Sequence, residues 1–299
     1  MPGVSELPRI FFDILGPVVV LVAIGMVAGR WLDLRPAPFA KLSYWIIGPA
    51  FIFDALANAG LPGDALVRVA AASLAALAVS GAVAAVLSAR LSRERRASVI
   101  TTGVYGNTGN FGLAIVSFTF DDGALPFAAV ALVVVNTTGL IVGIALAHGG
   151  LIGLAQAFTK PMTLVIVPAL VVNATDADLP PIVDRPIALL AGAIIPVMLI
   201  TLGIQFQQMG RPRVELDAAR SLLAKLLVQP LAAIVIAGWL GLVDEAAGAV
   251  VLQAAMPAAV FTAVLAIEQD TRPDETATIV LVGTVASLVT LPWFILYVS

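Results

Sequence analysis

Cysteine is absent from the chain, which excludes disulfides and thiol chemistry and leaves the redox compartment open. Charged residues are scarce, at 12% of 299, where the surface of a soluble domain needs about a quarter. Enzyme signatures are missing too. There is no His-Glu-x-x-His, no Gly-x-Ser-Gly pattern, no Asp-Asp-x-x-Asp pair and no Walker-type loop, which argues against a membrane-embedded hydrolase or prenyltransferase. Neither a cofactor nor a metal is expected. A net charge of −3 decides little, and nucleic-acid binding is unsupported because the basic residues sit at helix ends instead of on one face.

Apolar residues are abundant: 60% of the chain, with a mean hydropathy of +1.04. This reads as an all-α polytopic membrane protein with short connections and no separate soluble domain. Apolar windows of about 20 residues give ten transmembrane helices at about 10–30, 39–58, 66–88, 97–119, 125–147, 151–172, 186–207, 217–239, 245–267 and 276–297. Charge, Pro and Gly mark the connections, among them Pro62-Gly63-Asp64, Gly210-Arg211-Pro212-Arg213 and Asp270-Thr271-Arg272-Pro273. The run from Ile14 to Ala28 lacks a small-x-small cleavage site and continues to Arg30, so it reads as a first span and not as a cleavable signal.

Lys and Arg set the expected orientation. One set of alternate loops holds twelve (Arg30, Arg35, Lys41, Arg90, Arg93, Arg95, Arg96, Lys160, Arg211, Arg213, Arg220, Arg272) and the other three (Arg9, Arg68, Arg185). Both termini are therefore expected outside the cell membrane, the inner membrane of a bacterium. Lys225, just past Arg220, is expected to snorkel to the same cytoplasmic surface and is given no role.

Within span 4 lies Tyr105-Gly106-Asn107-Thr108-Gly109-Asn110-Phe111-Gly112, a poor helix former because Gly gains most from staying flexible and Asn competes for its own backbone. In hydrocarbon such a break survives only inside protein or against a watery cavity, and discontinuous helices mark transporter binding sites. Met256-Pro257-Ala258 breaks span 9, since proline removes one rung and clashes with the preceding turn. The two breaks lie about 149 residues apart; Pro49 and Pro196 lie 147 apart, and Asn136, Thr137 and Thr138 match Thr284 and Ser287 at a similar offset. Five spans per half is odd, so the second copy enters inverted. The expectation is a 5+5 inverted repeat, residues 1–148 and 149–299, with broken helices 4 and 9 crossing near the midplane.

Each break makes a new helix N-terminus, expected near Asn110 and near Ala258, with partial positive charge and free N–H donors. Few buried cations are expected at that depth, so a carboxylate is the best-matched ligand. Asn107, Thr108, Gly109, Asn110, Met256, Pro257 and Ala258 form the candidate substrate site. Asp54, in the outer half of span 2, reads equally as a proton-linked group and as an interfacial carboxylate. Asn136, Gln205 and Gln253 line the pathway or bond neighbouring helices. Asp13 and Glu268 sit near span ends, and His148, the only histidine, in a short loop. Pro49, Pro168, Pro196 and Pro230, taken singly, read as kinks. Gly25-x-x-x-Gly29, Gly139-x-x-x-Gly143 and alanine-rich span 3 read as close helix packing within the chain.

Gly106-Asn107-Thr108-Gly109-Asn110-Phe111-Gly112-Leu113 resembles the Asn-Thr-Gly-Asn-x-Gly-Leu pattern of the auxin efflux carrier family, and Met256-Pro257-Ala258-Ala259-Val260 resembles that family's Met-Pro pattern. The resemblance covers the ten-span layout and is most specific in span 4. It implies a scaffold of spans 1, 2, 6 and 7, a mobile transport domain of spans 3–5 and 8–10, a substrate site at the crossing, elevator-like access and a homodimer joined through the scaffold. It also implies export of small organic anions, auxin-like or malonate- and malate-like. Two departures stand out: the long cytoplasmic insertion of the plant carriers is absent, and Gly106 replaces the plant pattern's Pro. Two rivals remain open. One is a sodium-coupled symporter using carbonyls near Tyr105 and Ala255 with Gln253 and Asn110; the other is a non-transporting sensor that keeps the carrier fold. The drug/metabolite transporter layout, a third, requires unbroken helices 4 and 9.

Overall fold

A computed structural model of the chain describes residues 6–59, 63–148, 160–209, 216–268 and 271–299. Pro62, the Gly210–Arg213 loop, Asp270, the 148/149 repeat boundary and residues 151–159 of the sixth expected span lie outside the described set, as do the side chains of His148 and Glu268. The described residues form helices and no named strand. In chain order these are α1 (Leu7–Trp31), α2 (Pro36–Ala57) and α3 (Gly63–Leu87), α4 (Arg93–Val104), α5 (Leu113–Phe120) and α6 (Leu125–His148), α7 (Pro161–Thr175), α8 (Pro181–Gln208) and α9 (Leu216–Trp239), then α10 (Asp244–Ala255), α11 (Phe261–Glu268) and α12 (Pro273–Val298). Seven helical stretches among the described residues are long and apolar enough to cross a membrane, one of them running from Thr108 through α5 into α6. The remaining expected spans fall on the interrupted pairs α4–α5 and α10–α11 and on the shorter α7.

Proline starts α2, α7, α8 and α12, where its missing N–H costs nothing. Farther inside a helix it costs a rung, and the chain responds by widening. The π-turns Ile10–Leu15, Ser43–Ile47 and Leu223–Val228 run directly into Gly16-Pro17, Gly48-Pro49 and Gln229-Pro230. Pro168 and Pro196 follow one-residue irregularities at Val165 and Ala193. The four prolines read as kinks therefore all sit at helix irregularities.

The helices pack in two sets. In one, α1 lies along α8, and α2 packs on α7 and α8. A Cβ on Gly25 would collide with the Ile200 carbonyl, and one on Gly203 with the Val22 carbonyl. Backbone touches backbone there, within the chain, as the small-residue spacing requires. In the other set, α3 packs on α4, α6 and α9, and α10 packs on α6, α9 and α12. α3 presents Ala72, Ser73, Ala76, Leu77, Ser80 and Ala84 inward.

This second set is also stitched by polar bonds. Ser80 Oγ donates to the Gly103 and Ala224 carbonyls (2.7 and 2.9 Å), Ser98 and Thr276 share a hydrogen bond (2.9 Å), and so do Thr102 and Ser221 (2.7 Å). Arg95 on α4 pairs with the fully buried Asp217 on α9 (2.6 Å), which also pairs with Arg220. The starts of α4, α9 and α12 thus share one face of the molecule. Phe12, Trp31, Ile182, Leu189 and Trp239 point outward, each more than three-quarters exposed, which is what lipid as solvent permits. Trp31 and Trp239 end their spans, the usual place for an interfacial anchor.

Candidate functional site: the crossing of two interrupted spans

The two breaks meet. α4 ends at Val104, Tyr105 is extended (φ −83°, ψ 97°), and helix resumes as the π-turn Thr108–Gly112. α10 ends at Ala255, Met256 is extended (φ −63°, ψ 143°), and helix resumes at Phe261. Between them Gly106 and Ala258 form an isolated antiparallel bridge. The Asn107 N–H donates to the Pro257 carbonyl (2.7 Å), and the Ala259 N–H donates to the Tyr105 carbonyl (2.8 Å). Each interruption supplies backbone partners the other lacks, which is how two broken helices persist at membrane depth.

Glycines make the approach possible. A Cβ on Gly112 would strike Gln253 Oε1, and one on Gly139 would strike the Tyr105 ring, which also meets Phe261 edge-on at 5.9 Å. Gly109 faces Met198 of α8 and Leu132 of α6, whose nearest carbons would lie 3.2 and 3.4 Å from an added Cβ. The bridge therefore lies at the junction between the two helix sets.

Polar side chains converge here. Asn107, Thr108 and Gln253 are all at least 96% buried. Asn107 Nδ2, Thr108 Oγ1 and Gln253 Oε1 have no hydrogen-bond partner among the described residues, although Gln253 Nε2 reaches the Ala128 carbonyl (3.4 Å). A buried polar atom left unpaired costs on the order of 1–3 kcal/mol, so three at one bridge need an explanation beyond packing. Met256, Pro257 and Ala258 are buried and contribute backbone and apolar surface. Gly109 and Asn110 are half-buried.

The new N-termini lie close to their expected places. The first half-helix starts at Thr108, so that its π-turn includes Asn110. The second starts at Phe261, just past Ala258, which the bridge holds extended.

Lys225 also departs from expectation. Its side chain does not snorkel to the surface: it is 1% exposed, and its Nζ donates to the Ala254 carbonyl at 2.8 Å. Counting residues from Arg220 gave the depth, but direction follows from the face that packs. The π-turn Leu223–Val228 turns that face onto α3, α4, α10 and α12, and the carbonyl end of α10 offers a partner. Cε and Nζ lie 2.9 Å from where a Gly106 Cβ would be. A buried amine is therefore available at the crossing after all. An ionisable residue inside an apolar span is a functional candidate by default, and that was the signal to weigh.

The other candidates stand on α1, α2, α6 and α8. Asp54 is half-buried one turn before the end of α2 and accepts from Asn58 Nδ2 (3.0 Å). Asn136 Nδ2 approaches Met162 Sδ (3.9 Å) at the start of α7. Gln205 is half-buried on α8, its Oε1 without a partner among the described residues. Asp13 is exposed and 3.8 Å from Arg9. A cleft of about 290 Å³ between α9, α10 and α12, lined by Asp244, Gly248 and Tyr297, opens at the end of α10 opposite the bridge.

A multi-pass helical membrane protein whose interrupted spans bond to each other has the build of a transporter. Residues 150–295 match the family model described as Membrane transport protein. No curated protein gives a match.

Proposed function

We propose that this chain is a secondary transporter of small organic carboxylates, exporting or exchanging them by an elevator-type movement. In this reading α1, α2, α7 and α8 are the scaffold, joined to a second copy as a homodimer, and the remaining helices carry the substrate. The two halves are inverted repeats in the inner membrane with both termini outside. The observation that carries it is the bridge between the two breaks, with Asn107 and Thr108 left unpaired beside half-helix starts that favour negative charge.

The test is flux of labelled malonate, malate and indole-3-acetate in liposomes holding the purified protein. At least one acid should cross faster than in empty liposomes. Asn107→Ala and Asn110→Ala should each slow it about tenfold, the equivalent of losing ~1.4 kcal/mol. Full rates in both variants would remove the crossing as the substrate site, and binding without flux would favour the sensor.

A further inference from the structure

Lys225 brings an amine to the crossing, and its surroundings describe a cation position. Its Nζ caps the carbonyl end of α10 through the Ala254 oxygen at 2.8 Å and lies against Gly106 of the first break. A helix C-terminus carries about half a negative charge, and α4 and α10 both end at this crossing. Burying an ammonium costs several kcal/mol unless it is compensated, yet no ion pair to Lys225 exists among the described residues. The carboxylates on the helices packed around it, Asp64, Glu94, Asp244, Glu245, Asp274 and Glu275, all sit in first helical turns. Compensation thus comes from carbonyl dipoles, the environment that binds a metal cation in other sites. Lys225 reaches Gly106 from α9, whereas Gly109 meets Met198 of α8 and Leu132 of α6.

We propose that the Lys225 ammonium is the resident cation of the crossing, filling with a side chain the place that a coupling sodium ion would otherwise take. It holds the end of α10 in register with Gly106, and it supplies positive potential to an anion held at the crossing. Lys225 is a positioning residue that touches backbone and not substrate.

The experiment has a substrate-free arm and a transport arm, so that it separates from the carrier reading. In detergent, the wild-type melting temperature should be unchanged when sodium chloride replaces choline chloride. Lys225→Ala should melt lower and recover part of the loss with millimolar methylammonium or sodium, but not with N-methyl-D-glucamine, which is too large. In liposomes, Lys225→Met should lower malonate or indole-3-acetate flux about tenfold, while Lys225→Arg keeps most of it. Methylammonium rescue of melting, with no flux of any acid by the wild type, would uphold the cation position and reject the carrier reading. Wild-type flux matched by Lys225→Met, a wild type that sodium stabilises, or a Lys225→Ala variant indifferent to every cation would each overturn the proposal. Should Lys225→Ala fail to fold, the Met and Arg pair decides it: equal flux in the two means that the charge is not used.

Discussion

The two interruptions do the same job with different chemistry. In the first, Gly106 and Asn107 break the helix, a π-turn restarts it, and Asn107 and Thr108 are buried with unpaired polar atoms. In the second, Pro257 breaks the helix and Met256, Pro257 and Ala258 bring no polar side chain. The first break carries the polar side chains, and the second gives it a backbone to lean on. Lys225 joins them, bonded to the end of one helix and pressed against the glycine of the other.

The largest effect is expected where that division is attacked directly. Asn107→Asp places a carboxylate where an anionic ligand is to sit, one residue from the Gly106 that Lys225 touches. It should cut flux about a hundredfold, ~2.7 kcal/mol, while the melting temperature holds or rises; unchanged flux would mean that the first break does not recognise the ligand. Next comes Gly112→Ala, whose Cβ collides with Gln253 Oε1. Overpacking of this kind costs about 1–3 kcal/mol, to be read as a lowered melting temperature. Gly106→Ala should cost less, because its new contact at 2.9 Å is the flexible end of Lys225; the reverse order would sink this account of the packing. The smallest change belongs to the second break. Met256→Leu conserves volume and should cost less than about 1.5 kcal/mol and leave flux near wild type. A large loss there would show that the second break is more than support.

Much of this was legible beforehand. Membrane spans announce themselves because lipid rewards long apolar runs whatever their neighbours, so α1, α2, α3, α6, α8, α9 and α12 fall close to the expected windows. Gly106-Asn107 and Met256-Pro257 disfavour helix locally, and both breaks are where those residues stand. The exact restarts were not legible: whether helix resumes at Thr108 or Asn110 depends on the bridge and the π-turn, both products of the opposing chain. Gly25 as a close-packing residue could be read, while its partner Ile200 on α8 could not.

The amino-acid sequence by itself determined that this chain lives in a bilayer, where its helices break and which polar groups the breaks carry, because these follow from local propensity and the solvent. Only the tertiary structure decided that the breaks bond to each other and that Lys225 turns inward to join them. A side chain's depth is counted along its own helix, but its direction is set by which neighbours cover that helix, and the two that Lys225 meets, Ala254 and Gly106, lie 29 and 119 residues away along the chain.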